Sequence, residues 1–231
     1  MMEITVVMAT RNSAIFLEEA LRSIVLQRNN ELNQKLRLIV IDADSKDGTQ
    51  EIVSRVSFAN LQQQKGNGLW QAWNQAIEQV ETPWIAMLDS DDYWEPSALA
   101  NHVKALQSSP SACVSIGLTR FILATDHLPK GIRSSLFEGF HRGAIPGATI
   151  FHKDAFLKLG LFNTDYSTAS DVDWFLRLYQ SNLIIAKPEE IVLNKRIHCT
   201  NLSLDLSSKT QYDQDLLSIA RNSMRKKRLK L

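Results

Sequence analysis

Apolar runs of strand length alternate along the chain with segments of helical periodicity, and this alternation limits the possible folds more than any other feature. Residues 4–8 and 36–41 are rich in β-branched side chains, as buried parallel strands are, and further runs occupy residues 84–88, 112–118 and 148–152. Repeated strand–helix units predict an α/β fold with a mixed, mainly parallel sheet flanked by helices.

Amphipathic segments between these runs predict the helices. They lie at residues 15–25, 49–56, 70–80, 96–107, 154–159 and 171–181, with a last helix at 209–229. Residues 125–146 lack firm periodicity and predict a long loop. We expect one main domain at residues 1–203, followed by a basic helical extension at residues 204–231.

Composition excludes several classes of protein. With 44% hydrophobic and 22% charged residues, the chain resembles neither a disordered segment nor a disulfide scaffold, and its net charge of +1 gives no support to nucleic acid as a partner. Cys113 and Cys199 lack metal-ligand spacing and fit a reducing compartment. Residues 1–9 do not form a signal peptide, and no run approaches the roughly 18 to 20 apolar residues of a membrane span. We therefore expect a cytoplasmic protein.

Three carboxylates follow directly on the apolar run at residues 84–88, in the sequence Asp89-Ser90-Asp91-Asp92. Carboxylates this close repel one another unless a cation lies among them. Oxygen ligands favour Mg²⁺ or Mn²⁺, which often bind one or two carboxylates together with the phosphates of a substrate. The cluster equally fits a solvated acidic turn in which Asp92 caps the next helix.

A second acidic turn follows the run at residues 36–41, with Asp42 and then residues 44–48. The carboxylate of Asp42 can accept hydrogen bonds from a base or a ribose, although an Asx turn and helix cap is the simpler interpretation of this turn alone. Parallel strands end at one edge of a sheet, where open α/β folds bind ligands. Both acidic turns should therefore lie at that edge.

Two further sites carry groups that fit acid–base or metal chemistry. Asp171 and Asp173 begin a predicted helix, where a carboxylate is usually a cap, but an alcohol nucleophile also needs a base of this kind. Arg177 lies one turn after Asp173 and can pair with it. His198 fits a metal or phosphate contact, although a single histidine beside an apolar run is more often structural.

Five motifs, ordered along residues 4–203, resemble glycosyltransferases of family 2, which have the Rossmann-like GT-A fold. Residues 4–12 resemble the first strand and Thr-x-Asn turn of that family, and residues 42–49 its Asp-rich nucleotide loop. Residues 88–96 match its DxD metal motif, including the proline. Residues 170–174 with Arg177 resemble the segment that carries the catalytic base, and residues 196–203 a loop that follows it.

The resemblance implies a nucleotide-binding half at residues 1–110 and an acceptor-binding and catalytic half at residues 111–203. Thr10 and Asp42 would hold a uracil or guanine nucleoside. The rest of the donor site would comprise Asn12, Asp44, Lys65, Asn74, Ser90, Arg177 and Arg196.

The same resemblance implies roles around the acidic cluster. Asp89 and Asp91 would contact the ribose and the metal ion, and Asp92 would orient the sugar. His198 would bind the metal near the diphosphate. Asp171 would be the catalytic base.

The implied activity is inverting transfer of a sugar from a UDP- or GDP-sugar to an acceptor hydroxyl, with Mn²⁺ or Mg²⁺. The acceptor would be a glycan or a lipid-linked saccharide of a cell-surface polysaccharide. Six basic residues between positions 221 and 230 fit a solvated helix end, or contact with the inner membrane surface.

Two departures from the family pattern keep other functions open. Trp73 replaces an arginine of many relatives, and Ala43 and Asp44 replace Asp-Gly in the nucleotide loop. These changes motivate an inactive nucleotide-sugar-binding subunit as an alternative. A sugar nucleotidyltransferase is less favoured, because residues 10–13 are not a glycine-rich phosphate loop. A phosphatase is weaker still, because its downstream threonine and lysine arrangement is not evident.

Overall fold

The computed structural model describes residues 2–28, 36–129, 131–199, 201 and 206–228. Its strands are β1 (Ile4–Thr10), β2 (Leu36–Asp42), β3 (Ala59–Gln63), β4 (Trp84–Met87), β5 (Tyr93–Trp94), β6 (Ala112–Ile116), β7 (Leu118–Leu123), β8 (Thr149–His152), β9 (Ile184–Ala186) and β10 (Ile191–Ile197). Its helices are α1 (Ala14–Arg28), α2 (Thr49–Ser54), α3 (Leu69–Ile77), α4 (Ala98–Ser108), α5 (Lys153–Leu159), α6 (Ser170–Tyr179) and α7 (Leu206–Arg228), with short 3-10 helices at Ser134–Phe137 and Pro146–Ala148.

A seven-stranded sheet in the order β3-β2-β1-β4-β8-β6-β9 forms the centre of the fold. Every pairing in it is parallel except those of β8, which runs antiparallel to β4 and β6. A smaller sheet pairs β10 with β5 and β7. The prediction of a mixed, mainly parallel sheet is confirmed, whereas the division into two halves stays a prediction.

Alternate residues of β1 enter two separate cores, which is why this strand is apolar on both faces. Val6 and Met8 pack in a core with residues of α1 and α4. Val7 packs on the opposite face with Trp73 of α3 and Trp174 of α6. Helices therefore cover both faces of the sheet. Packing on both faces fixes the strands, and so fixes the edge at which their carboxyl ends lie.

The predicted strand at residues 112–118 is wrong at its end, because Gly117 separates β6 from β7. The amide of Gly117 donates to the carbonyl of Ala148, and Val192 packs against the glycine. Three predicted helices are also too long, since the structure ends α2 at Ser54, α3 at Ile77 and α6 at Tyr179. The described residues of 125–146 form a loop as predicted, apart from a 3-10 turn at Ser134–Phe137, the start of another at Pro146 and a bridge between Thr119 and His141.

Sequence periodicity missed five of the described strands: β3, β5, β7, β9 and β10. Among these, β3 and β9 are edge strands with partly exposed, irregular patterns. In β10 the residues Asn194, Lys195 and Arg196 interrupt the apolar pattern, yet two of these polar side chains are buried. Arg196 donates to Asp91 and Asp92 of the acidic cluster, and Asn194 donates to Glu95. Their burial therefore depends on contacts that no local pattern shows.

Helix α7 packs against α6 and is not a free appendage. Ile219 lies in a buried cluster with Tyr166 and Ala169, which precede α6. Within the residues described, no helix combines the length and apolar character needed to cross a membrane.

Gly117→Ala should destabilise the fold. A methyl group on this residue would overlap Cγ2 of Val192 and lie 2.7 Å from its Cγ1, and Val192 is fully buried. We expect a loss of about 1 to 3 kcal/mol in the free energy of unfolding, measured in urea. Gly143→Ala is the matched control, because the new methyl group would meet nothing closer than 4.0 Å.

The double variant Gly117→Ala/Val192→Ala tests the cause. Removal of the two γ-carbons should make the glycine substitution less costly in that background than in the wild type. Equal cost in both backgrounds would show that overlap with Val192 is not the reason.

Candidate active site

The ends of β1 and β2 form the first part of the site. Thr10 and Asp42 are register partners, and the hydroxyl of Thr10 donates to Asp42 Oδ1 at 2.9 Å. Asp42 also accepts hydrogen bonds from the amide and hydroxyl of Ser45 and from Gln50. Burial alone would raise the pKa of Asp42, but these donors hold it below its ordinary value. Asp42 is thus a buried anion that organises its own loop.

Two non-glycine residues in the loops beside Asp42 adopt the left-handed backbone conformation. Asn12 has φ 49° and Asp44 has φ 56°, and both residue types tolerate this region better than most. The amide of Asn12 donates to Ser45 at 2.8 Å, and Asn12 Oδ1 accepts from the amide of Lys46 at 3.0 Å. The loops after β1 and β2 are therefore fastened to each other. Asp44 is exposed and pairs with Lys46.

The acidic cluster lies just after β4, next to these loops. Asp89, Asp91 and Asp92 each bring a carboxylate oxygen within 4.8 Å of the others. The hydroxyl of Ser90 lies 2.8 Å from that of Ser13, so the cluster is tied to the loop after β1. The structure thus brings the two predicted acidic turns to one edge of the sheet.

Lys195 of β10 compensates part of this negative charge. Its Nζ lies 2.9 Å from Asp92 Oδ2 and 3.3 Å from Asp89 Oδ2. Although burial opposes its charge, the three carboxylates raise the pKa of Lys195, which keeps it a cation. Sequence reasoning missed Lys195, and the one available signal was a basic residue directly before the last family motif at residues 196–203.

His198 and Asn201 contact the central carboxylate of the cluster. Nε2 of His198 lies 3.0 Å from Asp91 Oδ2, and Nδ2 of Asn201 donates to the same oxygen at 3.2 Å. The amide of His198 donates to Asn201 Oδ1 at 2.6 Å. Asn201 thus sets the position of the loop that carries His198, and it too was missed from the sequence.

The three carboxylates differ in acidity. Burial raises the pKa of Asp92 to about 7, against the attraction of Lys195 and with repulsion from Asp91 and Asp89. Burial also raises the pKa of Asp89, again against Lys195. Burial would do the same for Asp91, but the hydrogen bond from His198 and the charge of Lys195 lower its pKa overall. Asp91 is therefore the most stable anion of the cluster.

Asp171 is the second residue of α6 and lies near the cluster. Burial raises its pKa to about 6, opposed by a hydrogen bond from the amide of Val172 and assisted by the charge of Asp89. Lys195 is also close enough to act on it. The structure thus brings a carboxyl group of raised pKa beside a cluster of anions, an arrangement common at catalytic sites.

Two residues predicted to contact the donor make contacts around the cluster. The side chain of Asp92 is fully buried and accepts hydrogen bonds from Lys195 and from the backbone amide of Arg196. The guanidinium of Arg196 donates to the carbonyl of Asp91, pairs with Glu19 and stacks on Phe16 and on Tyr93. Both side chains are thus engaged within the protein, and their contact with a donor stays a prediction.

Two further residues predicted to contact the donor are engaged elsewhere in the fold, and their donor contacts also stay predictions. Nδ2 of Asn74 donates to the carbonyl of Phe162 at 2.8 Å, and Oδ1 of Asn74 accepts from the backbone amide of Phe162 at 3.1 Å. Arg177 pairs with Asp173 and donates to the carbonyls of residues 159–161. Both side chains fasten the connection between α5 and α6. Lys65 is exposed, and its place in a donor site stays a prediction.

Trp73, which stands where many relatives carry an arginine, is 1% exposed and belongs to the core between α3 and the sheet. It therefore contributes to packing. The substitution takes nothing from the geometry of the acidic cluster.

The donor set of the cluster fits a divalent cation. Asp89, Asp91 and His198 offer two carboxylates and one imidazole, a combination that suits Mn²⁺ and also Mg²⁺ when phosphate oxygens complete the shell. Asp92 fits less well, because its oxygens are occupied by Lys195 and Arg196.

The chain belongs to glycosyl transferase family 2, whose family model matches residues 5–174. The putative teichuronic acid biosynthesis glycosyltransferase TuaG of Bacillus subtilis is 23% identical over 54% of this chain and 50% of that protein. The UDP-Glc:alpha-D-GlcNAc-diphosphoundecaprenol beta-1,3-glucosyltransferase WfaP of Escherichia coli is 26% identical over 44% of this chain and 41% of that protein. The chain thus spans half or less of the length of these curated relatives.

Solved structures share the architecture. S. aureus TarS 1-349 in complex with UDP-GlcNAc superposes with a TM-score of 0.71 at 18% identity, covering 95% of this chain and 66% of that chain. Mannosyltransferase PcManGT from Pyrobaculum calidifontis, in complex with GDP-Man and Mn²⁺, gives a TM-score of 0.69 at 21% identity, covering 96% and 64%. The GT-A fold expected from the sequence is confirmed.

Lys195→Met should destabilise the protein in a pH-dependent way. Loss of the ammonium leaves Asp89 and Asp92 without their countercharge, which costs about 3 kcal/mol for a buried pair. Since the folded-state pKa of Asp92 is raised to about 7, the folded protein gains protons as the pH falls, and the deficit should shrink between pH 8 and pH 5. Urea unfolding in EDTA at several pH values measures this.

Lys46→Met is the matched control. Its ammonium pairs with Asp44 at 2.6 Å, but both side chains are mostly exposed, so the change should cost at most about 1 kcal/mol. A pH-independent deficit in Lys195→Met would contradict the charge-compensating role of Lys195.

Proposed function

We propose that this chain is an inverting glycosyltransferase that moves a sugar from a UDP- or GDP-sugar to an acceptor hydroxyl with the help of Mn²⁺ or Mg²⁺. One arrangement carries the proposal: a carboxylate cluster suited to a metal lies within electrostatic reach of a separate, partly buried aspartate, Asp171. Family membership gives the reaction class. TarS bound to UDP-GlcNAc and PcManGT bound to GDP-Man support a nucleotide sugar as the donor.

Asp91, Asp89 and His198 would hold the metal ion. Asp91 is the most acidic of the three clustered carboxylates, and His198 already lies 3.0 Å from it. Bound there, Mn²⁺ or Mg²⁺ would offset the negative charge of the departing diphosphate. Asp92 would not bind the metal ion itself, but would hold Lys195 beside Asp89.

Asp171 would accept the proton of the acceptor hydroxyl. Its pKa of about 6 leaves it ionised at neutral pH, while making it a stronger base than an exposed carboxylate. Direct displacement by the activated hydroxyl would invert the configuration at the anomeric carbon.

The nucleoside would lie against the fastened loops after β1 and β2. Asp42 and Thr10 would support it from below, since both are buried. Asn12 and Asp44 are exposed and lie two residues after Thr10 and Asp42, and Lys65 is exposed after β3. These three residues would complete the donor site with Ser90.

The acceptor would be a glycan or a lipid-linked saccharide in cell-surface polysaccharide assembly, as the names of TuaG and WfaP support. We expect residues 125–146 and α7 to govern its choice. Contact of residues 221–230 with an anionic membrane would suit a lipid-linked acceptor. Arg221 and Arg225 are exposed on α7, and the side chains at 226–230 lie outside the described residues.

Asp171→Asn should abolish most transfer while donor binding persists. An amide cannot take the acceptor proton, so kcat should fall by about 10²- to 10⁴-fold. In the wild type, activity should fall about tenfold per pH unit below about 6, as Asp171 becomes protonated. Steady-state kinetics with UDP- and GDP-sugars from pH 5 to pH 9 test both expectations.

Asp173→Asn provides the control on the same helix. It removes an equal charge, but that carboxylate pairs with Arg177 at 2.9 Å, so most activity should remain. Normal transfer by correctly folded Asp171→Asn would remove Asp171 from the mechanism.

Asp91→Asn should weaken Mn²⁺ binding in the presence of UDP or GDP by about tenfold or more, because the most acidic ligand is lost. Asp165→Asn, which removes an exposed carboxylate, should bind as the wild type does. Isothermal titration calorimetry measures both. Nucleotide binding without turnover on any donor or acceptor would instead favour an inactive binding subunit.

A further inference from the structure

Asp215 of α7 is buried against the start of α6, the helix that carries Asp171. It is 4% exposed, and its Oδ2 accepts from the amide of Thr168 at 3.0 Å, from the hydroxyl of Thr168 at 3.1 Å and from the amide of Ala169 at 3.3 Å. Gln211 donates to the other oxygen at 2.9 Å. Both oxygens of this carboxylate are therefore engaged.

Helix α6 has no side-chain cap of its own at its N-terminus. Its N-cap residue is Ala169, whose side chain offers no acceptor, and Ser170 follows. A negative charge at a helix N-terminus stabilises the helix through its dipole. Asp215, from a distant part of the chain, thus supplies the acceptor that the N-cap residue lacks. This contact lies two residues before Asp171.

Other contacts hold α7 along α6. Ile219 packs with Tyr166 and Ala169 in a small buried cluster. Asn222 donates to the hydroxyl of Tyr166 at 3.0 Å, and Gln180 at the end of α6 donates to Ser223 at 2.9 Å. The position of Asp215 is therefore determined by packing on both sides of it.

The same helix face lies near the residue after Asp171. Tyr212 packs against the same small cluster as Val172, which follows Asp171 directly in the chain. The pKa of Tyr212 is raised by burial first and then by the charge of Asp171. Asp171 is thus within electrostatic reach of both the acidic cluster and α7.

We infer that Asp215 is a positioning residue for Asp171, and that α7 is part of the catalytic unit because it fixes the first turn of α6. The inference rests on the proposed function for its kinetic consequence. Its structural consequence, a firmly held start of α6, does not depend on that function. Hydrogen exchange of the Thr168 and Ala169 amides, which donate to Asp215, measures it directly.

Asp215→Ala is the main test. Exchange of the Thr168 and Ala169 amides with deuterium should accelerate by about fivefold, as for a lost helix cap. Misplacement of the base should lower kcat by about ten- to a hundredfold. The KM for the donor should change by less than about twofold, because Asp215 touches no residue of the donor site.

Two further variants separate positioning from a general loss of stability. Asp213→Ala removes the same charge from the exposed side of α7 and should leave kcat and exchange unchanged. Asp215→Asn keeps one oxygen as an acceptor and should restore part of kcat. Since Asn has nearly the shape of Asp, it also remains informative if Asp215→Ala does not fold.

The outcomes are distinct. Unchanged exchange at Thr168 and Ala169 in Asp215→Ala, or equal kcat in Asp215→Ala and the wild type, would overturn the inference. So would parallel increases in KM and decreases in kcat. If the wild type transfers no sugar, the proposed function fails, whereas the exchange measurement still decides whether Asp215 holds the start of α6.

Discussion

The mutual repulsion of Asp89, Asp91 and Asp92 is the constraint on which the rest of the site depends. Carboxylates within 4.8 Å of one another, partly removed from water, cannot all remain charged without nearby cations or donors. Lys195, His198 and Asn201 supply these from β10 and the residues after it. The small sheet that carries β10 therefore does more than close the fold, because it makes an acidic edge compatible with burial.

Asymmetry among the three carboxylates follows from where these partners lie. Asp92 faces Lys195 and a backbone amide, with no exposed surface, so it acts inside the protein. Asp91 faces His198 and Asn201 and remains partly exposed, which suits a ligand of a diffusible ion. The three acids thus divide into an internal counterion, Asp92, and two partly exposed carboxylates suited to a metal ion. Their order in the sequence does not show this division.

Sequence reasoning succeeded where the signal is local. The strands that bear the site are apolar on both faces, and their terminal acids share one edge because parallel strands end together, so β1, β2, β4 and the Asp42 and Asp89 turns were predictable. Lys195, Asn201 and Asp215 were not, because each acts on a residue far away in the chain. The internal contacts of Asn74, Arg177 and Arg196 could not be predicted either, because the carbonyls and aromatic rings that these side chains contact are brought to them by the tertiary structure.

Asp171 shows how the distant contacts combine. A catalytic base must be ionised yet only weakly solvated, and burial raises the pKa of Asp171, the proposed base, to about 6. Because Asp171 lies in the first turn of α6, small shifts of that helix would change the distance from its carboxylate to Asp89 and to an acceptor. A helix that begins at Ala169 without a cap would be free to fray at that end. The carboxylate of Asp215 opposes fraying, so the acidity and the position of the proposed base depend on different parts of the chain. Burial and then the charge of Asp89 raise the pKa of Asp171, whereas α7 holds the start of its helix.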